Sequence, residues 1–189
     1  MTDSHKISLD RAARLDSAER RRRQPPEPLV ALVAGLLPAS LLDLGVGTGY
    51  FALPLLDAVC GLRVVAMDAE IGMLSLLRRK ERGGRAAAVA GRAAGIPLRD
   101  GAVDVVLMVN LYHELDDRPG TLRAVGRALA PGGRVVISDW SRRGTGEAGP
   151  SMHHRVPEAA VAADLMAAGF TGVECHELYG DFFTFMARA

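Results

Sequence analysis

Strand-like apolar runs alternate with helix-like stretches through most of this chain, and that order restricts the possible folds more than any other feature. The apolar runs are residues 40–44, 62–67, 86–90, 103–109 and 133–138. The helical patterns between them lie near residues 50–59, 70–82 and 118–129. Because parallel strands need long crossover connections, this alternation predicts a parallel sheet covered by helices on both faces.

Both ends of the chain extend this pattern. Ahead of the first run, the segment EPLVALVAGLL has helical apolar spacing and stops at Pro38. After the last run, residues 157–169 predict a helix, and residues 172–179 and 182–189 predict an antiparallel hairpin. The run of arginines at residues 20–23 predicts a solvated helix face near the N-terminus.

The composition fits one globular domain. The chain has 189 residues, of which 49% are hydrophobic and 24% are charged, so it can bury a sizeable core. We expect a helical segment over residues 1–28, which folds over the ligand cleft as a lid, followed by a single α/β domain over residues 29–189.

Charge and cysteine usage argue against several partners and compartments. The net charge of +1 gives no reason to expect nucleic acid or an anionic membrane as a partner. No apolar run approaches the ~20 residues that a membrane span needs, and the N-terminus lacks the apolar core of a signal peptide. Cys60 and Cys175 stand alone, so we expect no disulfide framework and no zinc site, and a cytoplasmic location.

The most informative motif is the glycine-rich segment LLDLGVGTGYFAL after the first strand. It places Asp43, Gly45, Gly47 and Gly49 between a strand and a helix, where glycine lets the backbone approach a ligand and exposed amides point at it. A phosphate-binding P-loop would need Gly-Lys-Ser/Thr, which is absent from the chain. A dinucleotide site would need GxGxxG, and the spacing here is one residue short. Asp68, at the end of the second strand, is placed to accept hydrogen bonds from ribose hydroxyls.

Two later segments, IPLRDGAVDVV and LAPGG, complete an ordered set of motifs. With the glycine turn and Asp68, this set resembles the class I S-adenosylmethionine-dependent methyltransferases that act on small molecules, related to ubiquinone/menaquinone-biosynthesis and arsenite methyltransferases. The resemblance covers residues ~15 to 188. It implies a Rossmann-like, doubly wound α/β fold with a seven-stranded sheet in the order 3-2-1-4-5-7-6, in which strand 7 is antiparallel.

The resemblance also implies a cofactor, S-adenosyl-L-methionine, and roles for the residues that match the motifs. The glycines of the turn line the methionine part, Asp43 holds the loop or the amino group, and Asp68 binds the ribose. The remaining implied contacts are those of Met67 and Ala69 beside the adenine, the backbone amide of Ala93 at the ring, and Asn110 near the methyl group. Arg92 stands where the family usually has Asp or Glu, so one base contact departs from the pattern.

Candidate catalytic residues follow the fourth and fifth strands, at the edge where parallel sheets bind ligands. His113 and Asp139 are candidates for a base or an acceptor contact, although His113 also fits a structural role. The long loop 141–156 suggests a lid or binding loop, and it contributes His154 and Arg155 as candidates. His113-Glu114 is no zinc motif, because HExxH would require histidine where Asp117 stands, and we expect no metal site.

These features favour a methyltransferase that moves a methyl group to an unidentified small-molecule acceptor by in-line displacement, acting as a monomer or homodimer. The alternative is a non-catalytic protein of the same fold that binds S-adenosylmethionine or S-adenosylhomocysteine, which the departure at Arg92 keeps open. The glycine spacing opposes a nicotinamide-dependent oxidoreductase. Balanced charge opposes nucleic-acid methylation, as does the absence of Pro-Pro-Tyr/Phe after Asn110. The two isolated cysteines argue against arsenic methylation.

Overall fold

The computed structural model describes residues 12–81 and 83–189. The helices are α1 (Ala18–Arg23), α2 (Pro26–Ala34), α3 (Ala52–Ala58), α4 (Ile71–Lys80), α5 (Arg118–Ala128) and α6 (Glu158–Ala167). The strands are β1 (Ser40–Leu44), β2 (Arg63–Asp68), β3 (Ala86–Ala90), β4 (Val103–Val109), β5 (Leu129–Trp140), β6 (Thr171–His176) and β7 (Phe182–Arg188). A short 3-10 turn, Tyr112–Glu114, follows β4.

The described strands form a seven-stranded sheet in the order β3-β2-β1-β4-β5-β7-β6. The pairs β1–β2, β1–β4, β2–β3 and β4–β5 are parallel, whereas β7 runs antiparallel to both β5 and β6. The predicted fold class, strand order and orientation of strand 7 are therefore confirmed. Consecutive β1 residues show why both faces are covered: Leu41 and Leu42 are both fully buried, in the cores on opposite faces of the sheet.

Each face of the sheet carries its own hydrophobic core. On one face, buried residues of α5 and α6, such as Leu122, Val125 and Leu165, pack against the sheet. On the other face, α2, α3 and α4 cover the sheet, with Leu29 and Leu55 among the buried side chains. The apolar positions that gave each helix its sequence period are the positions that meet the sheet.

Strand β5 is longer than the predicted run at residues 133–138. Its first residue, Leu129, pairs with Val103 of β4, and the register then shifts before Val105 pairs with Arg134. The Pro131-Gly132-Gly133 segment lies inside this irregular part, in which β5 advances five residues while β4 advances two. Within the described chain, no helix combines the length and apolar character that crossing a membrane requires.

The parallel strands place several polar side chains at one edge of the sheet. Asp43 lies one residue before the end of β1, Asp68 ends β2, Asn110 follows β4, and Asp139 lies near the end of β5. Because these strands all point the same way, residues far apart in sequence meet at the carboxyl edge.

We predict that replacing Gly49 by alanine destabilises the fold more than the same change at Gly61. Both glycines have positive φ, 85° and 77°, so a methyl group costs about 1–2 kcal/mol in backbone strain at either position. At Gly49 the new Cβ would also collide with the buried Leu77 side chain, which adds about 1–3 kcal/mol, whereas at Gly61 it meets nothing within 4 Å. Urea denaturation of the two variants measures the difference, and equal losses would contradict the predicted collision.

Candidate cofactor and acceptor site

A cavity of about 160 Å³ opens at the carboxyl edge of the sheet. The ends of β1, β2 and β4 form its floor, and Leu15 and Arg20 of the N-terminal segment line it as well. The predicted site residues that line it are Asp43, Gly45, Gly47, Asp68, Ala69, Ala93 and Asn110. Residues from five separate parts of the sequence therefore share one cavity.

The glycine turn is fixed to the end of β2 by hydrogen bonds. The N–H groups of Gly45 and Val46 donate to the Met67 carbonyl at 2.8 and 3.0 Å. One Asp68 carboxylate oxygen accepts the Gly47 N–H at 2.8 Å, and the other accepts the Glu70 N–H at 2.8 Å. Gly45 and Gly47 have φ of 77° and 55°, a region that side chains disfavour, so the turn requires glycine there. Asp68 thus holds the turn in place as well as facing the cavity.

Asp43 is a buried carboxylate in this cavity. It makes no hydrogen bond or ion pair within the described part of the chain and is 3% exposed. Burial raises its pKa to about 7, the negative charge of Asp68 adds to that rise, and the positive charge of Arg20 opposes it. A cationic group in the cavity would therefore stabilise the ionised form.

Arg20 lies on α1 with its guanidinium stacked on an aromatic face. Its Cζ is 4.3 Å from the centre of the Tyr50 ring and 5.6 Å from that of Phe51. One terminal nitrogen donates to the Leu15 carbonyl at 3.1 Å, while Nε is buried and has no hydrogen-bond partner among the described residues. The prediction of a solvated helix face is correct for Arg21 and Arg22, which are exposed. It is wrong for Arg20, which lines the cavity.

Asn110 follows β4 in a left-handed conformation, with φ of 53°. Its backbone N–H donates to the Ser138 carbonyl at 2.8 Å, and its side-chain nitrogen donates to Gln24 Oε1 at 2.9 Å. The side-chain oxygen, Oδ1, is buried and has no hydrogen-bond partner in the part of the chain that the structure describes. Asn110 therefore brings an unused acceptor to the cavity, and Gln24 joins it to the N-terminal segment.

His113 and Asp139 form a hydrogen-bonded pair beside the cavity. His113 Nδ1 lies 2.7 Å from Asp139 Oδ1, and the backbone N–H of His113 donates to Asp139 Oδ2 at 3.0 Å. Asp139 is 1% exposed, so this carboxylate fixes both the ring and the backbone of His113. His113 does not itself line the cavity, but Leu111 and Glu114, on either side of it in the chain, do.

Three further predicted residues do not line the cavity. The side chain of Arg92 is 86% exposed and lies 3.6 Å from Asp116, an exposed carboxylate, although Gly91 and Ala93 on either side of it line the cavity. His154 is exposed on its loop, where its Nδ1 lies 3.0 Å from Ser151 Oγ. Gly49 does not line the cavity either; its N–H donates to the Val46 carbonyl and closes the turn.

Arg155 organises the loop 141–156. It is 1% exposed, and its guanidinium donates to the backbone carbonyls of Ser141, Ala148 and Pro150 while lying 5.2 Å from the Trp140 ring centre. Sequence analysis identified Arg155 as an acceptor contact, but these bonds make it the support of the loop instead.

Ionic contacts hold the N-terminal segment to the domain. Lys80 Nζ lies 2.6 Å from an Asp16 carboxylate oxygen, and Thr48 Oγ1 donates to the other at 2.6 Å. At the far end of α1, Arg23 donates to Asp181 at 2.8 Å. Among residues 12–81 and 83–189, no group of three or more metal-ligating side chains occurs.

A protein-family model described as a methyltransferase domain matches residues 42–137. The chain belongs to the class I S-adenosylmethionine-dependent methyltransferases. The matched segment contains the glycine turn, Asp68, Asn110 and His113, and the family recognised from the sequence is thereby confirmed. The cofactor of the family is S-adenosylmethionine.

Relatives of this methyltransferase support the assignment. It is 36% identical to demethylmenaquinone methyltransferase of Thermus thermophilus over 54% of this chain and 48% of the relative. It is 32% identical to malonyl-[acyl-carrier protein] O-methyltransferase of Methylococcus capsulatus over 65% of this chain and 46% of the relative. The chain thus spans about half the length of these curated relatives. A crystal structure of a methyltransferase from Aquifex aeolicus superimposes with a TM-score of 0.85 at 25% identity, covering 100% of this chain and 99% of the other.

Sequence reasoning missed Arg20 and Gln24 as parts of the site. They are four residues apart and so lie on one side of a helical turn, which is the signal that could have separated them from their exposed neighbours. Nothing in the local sequence, however, predicts that this side faces a cavity formed by β1, β2 and β4.

We predict that Asp43 makes the fold less stable as the pH rises. Its pKa is raised in the folded state, so its contribution to stability is complete below its ordinary value and is lost as the pH rises through about 7. At pH 8, Asp43→Asn should therefore exceed the unaltered protein in free energy of unfolding, on the order of a few kcal/mol, with the gap closing towards pH 4. Denaturant titrations across this range measure the gap, with Asp57→Asn as the exposed control. A gap independent of pH would refute this role of Asp43.

Proposed function

We propose that this protein transfers the methyl group of S-adenosylmethionine to a small-molecule acceptor. The observation that carries the proposal is the cavity at the carboxyl edge, bounded by a glycine turn that is fixed to the Asp68 carboxylate. Family membership supports the choice of cofactor, and the geometry of the cavity supports the way in which this chain would hold it.

The residues present fit this cofactor, which is a nucleoside joined through a sulfonium to an amino-acid zwitterion. Each Asp68 oxygen accepts one backbone amide and retains capacity for a ribose hydroxyl, since a carboxylate oxygen accepts more than one hydrogen bond. Asp43 and the unpartnered Oδ1 of Asn110 are acceptors suited to an ammonium group. Ala69 and the backbone of Ala93 would flank the adenine.

Arg92 does not obstruct this arrangement. Its exposed side chain faces Asp116 and leaves the cavity wall to Gly91 and Ala93. The base contact that an acidic residue makes in the family is missing, which we expect to cost about 1 kcal/mol of binding free energy. A loss of this size weakens binding without abolishing it, so Arg92 gives little support to the non-catalytic alternative.

Bound S-adenosylmethionine would supply an electrophilic methyl group, and the chain's task is then to align an acceptor and remove its proton. The Asp139 carboxylate is placed to accept an Nδ1–H from His113, and that tautomer would carry its lone pair on Nε2, which lies 3.8 Å from Glu114 Oε1. We propose His113 as the base and Asp139 as the group that orients it. His154, exposed in the structure, would contribute only if its loop turned towards the acceptor.

The acceptor class follows from this pair. A base is useful only for an acceptor that carries a proton at neutral pH, such as a hydroxyl group or an activated carbon. Relatives of this chain are named for methylation of demethylmenaquinone and of a malonyl-carrier protein. The first acceptors to test are a hydroquinone, whose hydroxyl group requires a base, and a malonyl thioester, whose free carboxylate is already ionised at neutral pH and requires none.

The first test is calorimetric titration with S-adenosylmethionine, S-adenosylhomocysteine and NAD. We expect micromolar binding of the first two and none of NAD, and Asp68→Asn should weaken that binding about tenfold or more because a ribose acceptor and the hold on the turn are lost. Asp57→Asn, on an exposed helix face, is the charge-matched control. Failure of both adenosyl ligands to bind the unaltered protein would end the proposal.

The second test separates binding from chemistry. We expect His113→Gln and Asp139→Asn to bind S-adenosylhomocysteine as the unaltered protein does, but to slow methyl transfer to a hydroquinone about 10²–10⁴-fold. The assay follows transfer of a radiolabelled methyl group to 1,4-naphthalenediol and malonyl-coenzyme A. Unchanged rates in both variants would remove the pair from the mechanism. Tight cofactor binding without transfer to either acceptor would favour the non-catalytic alternative.

A further inference from the structure

Asp181 lies directly before β7, at the tip of the β6–β7 hairpin, and contacts two separate parts of the chain. Its Oδ2 accepts a hydrogen bond from Arg23 Nη1 of α1 at 2.8 Å, and its Oδ1 accepts the Thr145 N–H at 3.1 Å. The Ser141 N–H also donates to the Asp181 carbonyl at 2.9 Å. One residue therefore binds both the N-terminal segment and the loop 141–156.

The two side-chain bonds of Asp181 are made by an ionised carboxylate. The Thr145 N–H lowers the pKa of Asp181, partial burial opposes this effect, and the charges of Arg23 and Arg155 add to the lowering. The side chains of Asp181 and Arg23 are 16% and 25% exposed, so water screens this pair less than a pair on the open surface. Hydrogen bonds to a charged group are stronger than neutral ones, which makes Asp181 a firm connection between the two segments.

The N-terminal segment connects Asp181 to the cofactor cavity. Arg20 lines the cavity and lies about one helical turn before Arg23 on α1. Gln24, which follows Arg23, is fully buried, and its Oε1 accepts a hydrogen bond at 2.9 Å from Asn110, which also lines the cavity. A ligand that fills the cavity and holds this segment in place would therefore fix the position of Arg23.

The loop 141–156 packs closely against Asp181. Gly144 lies between Asp181 and Arg155, because a Cβ at this glycine would lie 2.9 Å from Asp181 Oδ1 and 3.3 Å from Arg155 Nη1. Arg155 in turn donates hydrogen bonds to three backbone carbonyls of the same loop. Since Arg155 ties the parts of the loop together, a constraint on Asp181 acts on the loop as a whole.

The loop is separate from the cofactor cavity, since none of residues 141–156, all of which the structure describes, lines it. A second contact from α1 to the loop, between Arg23 Nη2 and Glu147 at 3.9 Å, is weak because the Glu147 side chain is 74% exposed. We propose that Asp181 is a positioning residue that couples occupation of the cofactor cavity, through Arg23, to the position of the acceptor loop. This inference rests on the proposed function.

The coupling favours one order of binding in the reaction. The loop follows β5, which carries Asp139, the partner of the proposed base His113. An occupied cofactor cavity would hold the loop in place next to this pair before the acceptor arrives. The acceptor would then bind the protein–cofactor complex about fivefold or more tightly than the free protein, and the effect is reciprocal.

Hydrogen–deuterium exchange of the full chain, with and without S-adenosylhomocysteine, tests this coupling and needs no acceptor. In the unaltered protein the ligand should slow exchange about fivefold or more at the glycine turn, residues 45–49, and also at residues 141–148. In Asp181→Asn the side-chain oxygen can still accept the Thr145 N–H, but an NH2 group faces Arg23. The slowing at residues 141–148 should then vanish, while the slowing at the glycine turn remains.

A second variant removes the same contact from the other side. Arg23→Gln should abolish the response of residues 141–148 as Asp181→Asn does. A protein with both changes should resemble each single variant, because the two residues act as one pair. Arg22→Gln, which changes an exposed arginine of α1, is the control and should behave as the unaltered protein.

Two outcomes would overturn this inference alone, and a third would overturn the proposed function with it. If both variants exchange faster in the loop but keep the response to the ligand, Asp181 only supports the loop. If the ligand slows exchange at the glycine turn of the unaltered protein but not in the loop, the two regions are independent. If it slows exchange in neither region, S-adenosylhomocysteine does not bind, and the proposed function fails together with the coupling.

Discussion

The site depends on the carboxylate of Asp68 and the two backbone amides that it accepts. One oxygen binds the N–H of Gly47 and the other binds the N–H of Glu70, so the turn after β1 and the start of α4 are tied to the end of β2. The Met67 carbonyl adds two more bonds from the same turn. Positive φ at the glycines is the conformation that this set of bonds requires, and the backbone then lies open to the cavity. The residue that we propose to bind the ribose therefore also holds the turn beside it.

The walls of the cavity hold charges and polar atoms that the folded protein leaves unsatisfied. Within residues 12–81 and 83–189, Asp43 is buried and makes no hydrogen bond, and neither Arg20 Nε nor Asn110 Oδ1 has a hydrogen-bond partner. Each of these opposes folding, because a buried polar group that loses water and gains no partner costs free energy. All three groups lie in one cavity, whereas hydrophobic cores pack on both faces of the sheet. The unfavourable contributions to folding are therefore concentrated at the site where a bound ligand would supply the missing partners.

The sequence predicts the fold closely because its signals are local. The apolar runs of β1, β2, β3 and β4 match the strands within a residue, since period and turn residues act over short distances. It also predicts that Gly45, Gly47 and Asp68 meet at the carboxyl edge, since they lie within one β1–α3–β2 unit. It does not predict that Arg20 faces the cavity or that Arg155 supports the loop 141–156. Both roles depend on contacts with parts of the chain that are distant in sequence. The length of strand β5 was underestimated for the same reason, because its first residue belongs to the strand only through its pairing with β4.

The proposed cofactor-binding and acceptor-binding parts of the site differ in how much of each lies in the segment that matches the family model. The cavity residues proposed to hold the nucleoside, Asp68, Ala69 and Ala93, lie within residues 42–137, the segment that matches the family model. The other boundaries lie outside it: Arg20 and Gln24 come before it, while Asp139 and the loop supported by Arg155 come after it. Relatives that share the central segment can thus share a cofactor and differ in acceptor. The acceptor of this chain is therefore to be sought in the geometry of the His113–Asp139 pair and the loop 141–156, rather than in the names of relatives that match half their length to it.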